Sequence, residues 1–251
     1  EASRGVTAVC PATMTYPEEK LQTIMEAARA FEVPEDGADL VGINMEGPFI
    51  SPDKIGAQNP AYVQKADAAM FRRLQEASGG LVRLVDIAPE EEGALAFVDE
   101  VGDSVRVSVA HTCADYDTAC AAFAHGARQL THCYNAMPGL HHRKPGPIAA
   151  AFDHPDVTPE VIADGVHIHP SMVRLAFRIF GDNRVILISD SMEATGLEDG
   201  EYSLGGHSAR QSCHAARWHD CRIRDGFDGV FAHSGEGHGH PAGVRGEGCK
   251  C

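Results

Sequence analysis

The run V-R-V-S-V-A-H-T, residues 105 to 112, decides the fold. Its β-branched alternation suits a strand buried in a sheet, and a histidine arrives where the strand stops. The same order of strand, then reactive side chain, recurs along the chain. Glu46 follows Leu40 to Asn44, His132 lies near the end of Gln129 to Cys133, His167 follows Glu160 to Ala163, and Asp190 ends Val185 to Ser189. Together with Val6 to Cys10, Val82 to Ile87 and Val105 to Ala110, these make seven candidate strands.

Between them, Leu21, Ile24, Met25, Ala28 and Phe31 fall at helical spacing, as do Met172, Val173, Leu175, Ala176 and Ile179. Such alternation predicts parallel strands joined by crossover helices. Periodicity alone leaves two architectures open, an incomplete (β/α)8 TIM-type barrel and a doubly wound open sheet. The position of the chemistry favours the barrel, whose enzymes gather their reacting groups at the C-terminal ends of the strands.

A chain of 251 residues, 43% hydrophobic and 23% charged, can bury one large core. No stretch reaches the ~18 apolar residues of a membrane span. A formal charge of -15 argues against nucleic acid or anionic lipid as the main partner, because both would meet a repulsive field. An anionic small substrate would then need a local cationic pocket, and H-H-R-K at 141 to 144 is the densest cationic run before the tail. The eight cysteines lack the crowding of a stapled mini-domain; Cys10, Cys113, Cys120 and Cys133 read as reduced thiols in apolar or β-like surroundings, which implies the cytoplasm.

The ends read differently. Glu1 to Pro11 resembles the interior of a domain and carries no leader-like pattern, so further residues are expected upstream. Residues 1–206 form the expected barrel domain. Beyond Gly206, Gly, His, Arg and Cys dominate and apolar periodicity vanishes, so 207–251 are expected to be a disordered tail. Its Cys213, Cys221, Cys249 and Cys251 are too irregularly spaced for a zinc module. One permitted choice of codons, read one base over, turns this tail into an amphipathic helical string, which points to a reading-frame slip near His207.

A hydrolytic zinc site uses about three protein ligands and leaves a position for water. Glu46, His111 and His132 could supply the three. Singly, each has a plain alternative as a solvated charge or a hydrogen-bonded loop histidine, and Asp190 could be a helix N-cap. Their shared place at strand ends is what raises the metal reading.

Seven segments in order carry a resemblance: G-I-N-M-E-G-P-F (42 to 49), G-A-Q-N-P (56 to 60), A-H-T (110 to 112), T-H-C-Y-N-A-M (131 to 137), H-H-R-K-P-G (141 to 146), A-D-G-V-H (163 to 167) and I-S-D-S-M (188 to 192). Over roughly residues 5 to 206 the chain resembles the N-acetylglucosamine-6-phosphate deacetylase family. The resemblance implies a metal-dependent amidohydrolase barrel lacking its first strand and flanking β-sandwich. It also implies hydrolysis of a sugar-phosphate acetamide in amino-sugar catabolism, and a homodimer in the full-length family. By it, Glu46, His111 and His132 match the metal ligands and Asp190 the catalytic acid/base. Ala57, Gln58, Asn135, Ala136, Asp164, Gly165, Val166 and His167 fall where the family holds substrate. Arg143 matches a phosphate-binding arginine contributed across the dimer, with His142 a further phosphate candidate. Some members carry a histidine at position 58 that ligates a second metal. Glutamine is a poor transition-metal ligand, so Gln58 implies one divalent ion (zinc, with iron, cobalt or manganese as alternatives) and an amide facing substrate. The competing readings are an inactive barrel fragment and an amidohydrolase of a different amide.

Overall fold

A computed structural model describes residue 2 and residues 5–191. Eight short strands alternate with six helices: β1 (Ala8–Val9), α1 (Glu18–Ala30), β2 (Asp39–Leu40), β3 (Ile43–Met45), α2 (Ala68–Ala77), β4 (Val82–Ile87), α3 (Ala94–Val101), β5 (Arg106–Val109), α4 (Tyr116–His125), β6 (Gln129–Leu130), α5 (Gly146–Asp153), β7 (Thr158–Ile162), α6 (Pro170–Phe180) and β8 (Ile186–Ile188). All seven candidate strands are present, but Leu40 to Asn44 is divided into β2 and β3 at Val41 and Gly42. The backbone at Gly42 passes so near β4 that a Cβ there would lie 2.3 Å from Arg83 Cγ. The expected strand Gln129 to Cys133 ends earlier, at Leu130, because Thr131 and His132 already belong to a turn. Helices α2 to α5 escaped the periodicity reading. In α4 and α5 the apolar face is built largely from alanine and carries little amphipathic contrast.

Strands β3 to β8 form one parallel sheet in the order of the chain. A parallel pair β1 and β2 continues it, tied on by an Ala12 to Asn44 bridge and by the hydrogen bonds Asn44 N–H to Pro11 O and Thr13 N–H to Asn44 O, each 2.9 Å. A doubly wound sheet reverses its strand order at a switch point; this order never reverses, and the sheet curls as an incomplete barrel. No helix of the described residues is long and apolar enough to cross a membrane.

The core lies between the sheet and its helices. Phe49 and Phe71 pack on Phe97 at ring separations of 5.2 and 5.9 Å, beneath Leu74, Val85 and Val107. Two helix starts are capped by aspartates: Asp67 accepts from Ala69 N–H and Met70 N–H, and Asp115 from Thr118 N–H. Of the cysteines expected in apolar or β-like surroundings, Cys10 follows β1 and is exposed, Cys113 is exposed, Cys120 is half-buried and Cys133 is buried. The proposed boundary at residue 206 and the tail lie outside the described residues.

Several buried residues of the strands and their ends are polar. Asp86 is fully buried and accepts from Thr131 Oγ1 at 2.8 Å, while Ser108 Oγ and Thr131 Oγ1 are 2.6 Å apart. Gln129 donates to Glu160. Burial, then the charges of Glu46 and Glu160, holds the Asp86 carboxyl well above the usual carboxylate range. Burial pushes Glu160 up to about 7. An acid raised in the native state stabilises the fold fully below its unfolded pKa and loses that contribution as pH rises through the folded value. Glu160's share of the unfolding free energy should therefore fall between pH 4.5 and about 7, and the difference between the parent and Glu160→Gln, from urea titrations across that range, measures it.

Candidate metal centre at the strand ends

Among the described residues, five non-glycine residues have positive φ, and all lie just past strand ends: His111 (41°), His132 (31°), Tyr134 (81°), Ala136 (49°) and Asp190 (49°). Left-handed backbone is costly for a residue with a Cβ, so each corner must be held by its surroundings. At His111, Ser51 N–H donates to its carbonyl at 2.9 Å and Thr112 N–H reaches Ala136 O at 3.0 Å. Glu90 adds a clamp, accepting from Thr112 Oγ1 and Cys113 N–H. Gly56, at φ +59°, lets its loop approach His111, where a Cβ would come within 3.1 Å of the ring. At His132, Asn135 N–H returns to the His132 carbonyl at 2.9 Å.

These corners bring together three side chains from β3, β5 and β6. Glu46, His111 and His132 are 8%, 5% and 3% exposed, and their ligand atoms lie within 4.8 Å of one another. His111 Nε2 is 3.1 Å from Glu46 Oε1 and 3.1 Å from His132 Nε2. His111 Nδ1 is 2.7 Å from the carbonyl of Lys54, which can only accept, so Nδ1 carries the proton and Nε2 of the neutral ring keeps its lone pair. Two imidazole nitrogens and one carboxylate oxygen facing a common point, with the tautomer of one ring fixed from behind, fit a borderline divalent cation such as zinc.

Electrostatics agree with that fit. Burial pushes His132 down to about 4, helped by the positive charge of His111, so His132 is neutral at ordinary pH. Burial opposes charge on His111, but its hydrogen bond to Glu46 wins and raises it. Glu46 ends below the usual range even though burial acts against it, because His111 hydrogen-bonds its carboxylate.

Asp190 follows β8 and is exposed as a residue, yet protein crowds its carboxyl. That desolvation, then the charge of Glu46, pushes it up to about 6. His167 stands beyond β7, its Nδ1 2.6 Å from Asp164 Oδ2. The other oxygen of Asp164 accepts from Val166 N–H and His167 N–H at 2.8 and 2.9 Å, around Gly165 at φ +76°. The hydrogen bond that His167 donates to Asp164 raises the His167 pKa.

The remaining expected residues divide. Asn135 and Ala136 sit in the His132 turn, half-buried, with Asn135 Nδ2 buried and unpartnered in the protein. Ala57 and Val166 are exposed beside Gln58 and His167. His142 and Arg143 occupy an exposed loop before α5, with His141 and His142 rings 4.4 Å apart, and are not joined to the metal cluster. The Gln58 amide, expected to face substrate, bridges Thr15 N–H and Glu46 Oε1, at 2.7 Å each. Glu90, Asp86 and Glu160 went unnoticed in the sequence. An acid inside V-R-L-V-D-I or T-P-E-V-I was the available signal for the last two.

The amidohydrolase family model matches residues 2–214. N-acetylglucosamine-6-phosphate deacetylase of Bacillus subtilis (strain 168) is 40% identical over 209 residues, covering 81% of this chain and 53% of the relative. N-acetylgalactosamine-6-phosphate deacetylase of Escherichia coli O157:H7 is 35% identical, covering 84% and 56%. The crystal structure of N-acetyl-D-glucosamine-6-phosphate deacetylase from Mycobacterium smegmatis matches with TM-score 0.75 at 38% identity, over 80% of this chain and 53% of that one. A mutant of the same enzyme, in complex with N-acetyl-D-glucosamine-6-phosphate, matches with TM-score 0.76 at 37% identity, over 80% and 52%. The chain spans about half the length of the curated relatives it matches.

If the cluster binds as its geometry implies, zinc must displace the proton that Glu46 favours on His111. Zinc affinity should therefore weaken as pH falls through the raised His111 pKa. His132→Ala should abolish the zinc-dependent rise in thermal midpoint, as differential scanning calorimetry with and without zinc chloride would read.

Proposed function

Since this chain belongs to the amidohydrolase family, we propose that it forms the catalytic barrel of a metal-dependent deacetylase acting on N-acetylglucosamine 6-phosphate, releasing acetate and glucosamine 6-phosphate. The observation that carries the reading is the convergence of buried Glu46, His111 and His132 on one point, with Asp190 within electrostatic reach. One divalent ion, zinc in the first instance, would be held by those three side chains; bound there, it would polarise the acetamide carbonyl and lower the pKa of water to roughly 7.

The chain's own groups then manage the proton. Asp190, with its pKa near 6, takes a proton from the attacking water and returns it to the departing amine nitrogen, a role that works best when the carboxyl titrates near the working pH. His167, oriented by Asp164, presents its other ring nitrogen to a sugar oxygen, with Asn135 and Ala136 opposite and Ala57, Gly165 and Val166 lining the approach. Arg143, with His142 beside it, supplies the planar fork that suits phosphate oxygens, and its exposed loop is compatible with delivery across a homodimer.

A second reading has its own observation. Strand β8 pairs only with β7 among the described residues, and Ile186 at its edge is 40% exposed. An open barrel of this kind could hold the ion and turn over nothing, with its edges prone to association.

Acetate release from phosphorylated and unphosphorylated N-acetylglucosamine separates these outcomes. Preference for the phosphorylated sugar is expected; acetate from neither, with zinc still bound, favours the inactive barrel. Asp190→Asn should keep its zinc and lose roughly 10²–10⁴-fold in kcat. Arg143→Ala should raise KM and leave kcat nearly unchanged.

A further inference from the structure

Gln58 lies in the loop after β3, 7% exposed, its backbone N–H returning to Ile55 O at 3.1 Å. A side-chain amide has one accepting and one donating end, and its orientation is settled by whatever it faces. Here one end meets Thr15 N–H, which can only donate, so that end is the oxygen, 2.7 Å away. The NH2 group is thereby turned to Glu46 Oε1, also at 2.7 Å. The reverse orientation would set NH2 against N–H and oxygen against carboxylate, losing both bonds.

The anchor that fixes the amide is itself fixed. Thr15 is 1% exposed, and its segment is laced to β3 through Thr13 N–H to Asn44 O. On its far side lies Gly47, the residue after Glu46, at φ +76°, where a Cβ would fall 2.1 Å from Thr15 Oγ1. The chain at 15 and the chain at 46 to 47 are therefore in direct contact, and Gln58 spans the same two segments on the carboxylate side.

We propose that Gln58 is the positioning residue of the metal centre: locked by the Thr15 backbone, its amide holds Glu46 in the one orientation that an ion shared with His111 and His132 requires. The terminal torsion of a free glutamate is broad and nearly two-fold, so an untethered carboxylate must be ordered when the ion binds. With Gln58 donating to Oε1, that ordering is complete before the ion arrives. Partners that orient a metal ligand from behind typically contribute 10–100-fold to affinity. This deepens the metal reading of the site and rests on it.

The experiment compares zinc affinity, by competition with a chromophoric chelator, for the 251-residue chain, Gln58→Leu and Gln58→His, with circular dichroism of each metal-free protein. The leucine fills the space but neither donates nor accepts, and affinity should fall about 10–100-fold. The histidine can accept from Thr15 with one ring nitrogen and donate to Glu46 with the other, and should recover most of the loss at one zinc per chain; because a histidine here can also ligate, rescue that comes only with a second zinc counts against the proposal. A folded Gln58→Leu that binds zinc as tightly as the parent overturns the proposal. Should that variant not fold, nuclear magnetic resonance of the parent decides: Gln58 side-chain N–H signals displaced from the free-glutamine position and shifting on zinc addition are expected, and signals at the free-glutamine position that are indifferent to zinc overturn it. A parent that takes up no zinc at all overturns the metal centre itself, which the affinity ratio between variants does not address.

Discussion

Several parallel strands in this chain stop and hand a side chain to a shared mouth, and three of the residues that do so bend through backbone angles that L-amino acids avoid. His111, His132 and Asp190 are all left-handed. The cost of order 1–3 kcal/mol for each such corner is offset by hydrogen bonds from neighbouring units: Ser51 and the Glu90 clamp at His111, Asn135 at His132. The site is therefore a product of the sheet's regularity and of deliberate departures from it at the strand ends.

Much of this was legible beforehand because the departures fall on chemically distinctive residues. A histidine or carboxylate following a β-branched run is visible in V-R-V-S-V-A-H-T, and strand order follows once sequential parallel units are accepted. What stayed hidden was how those residues are held. Positive φ has no residue signature at His111 or Asp190, since neither is glycine. Glu90 is one acid among several in P-E-E-E, and nothing local marks which of them reaches across to Thr112 and Cys113. Gln58 was noticed but its protein partners were not, because its contact with Thr15 joins residues 43 positions apart. Helices α4 and α5 were missed because their apolar faces are built from alanine.

The buried polar groups show the same coupling between fold and site from below. Asp86 and Glu160 lie close enough to Glu46 for its charge to raise both, so the carboxylates on this side of the sheet cannot all ionise cheaply. A cation at the mouth would relieve that repulsion, which makes metal occupancy a matter of fold stability as well as of catalysis.

The strand order has a consequence for how the molecule assembles. Because each strand from β4 to β8 pairs with its predecessor in the chain, each β/α unit contacts mainly the units on either side, and among the described residues no distant segment is threaded between finished ones. Structure can spread outward from a central pair such as β4 and β5, one short loop closure at a time, with little topological penalty. Assembly of this kind is modular: a break in the peptide between two units leaves pieces whose facing edges still match.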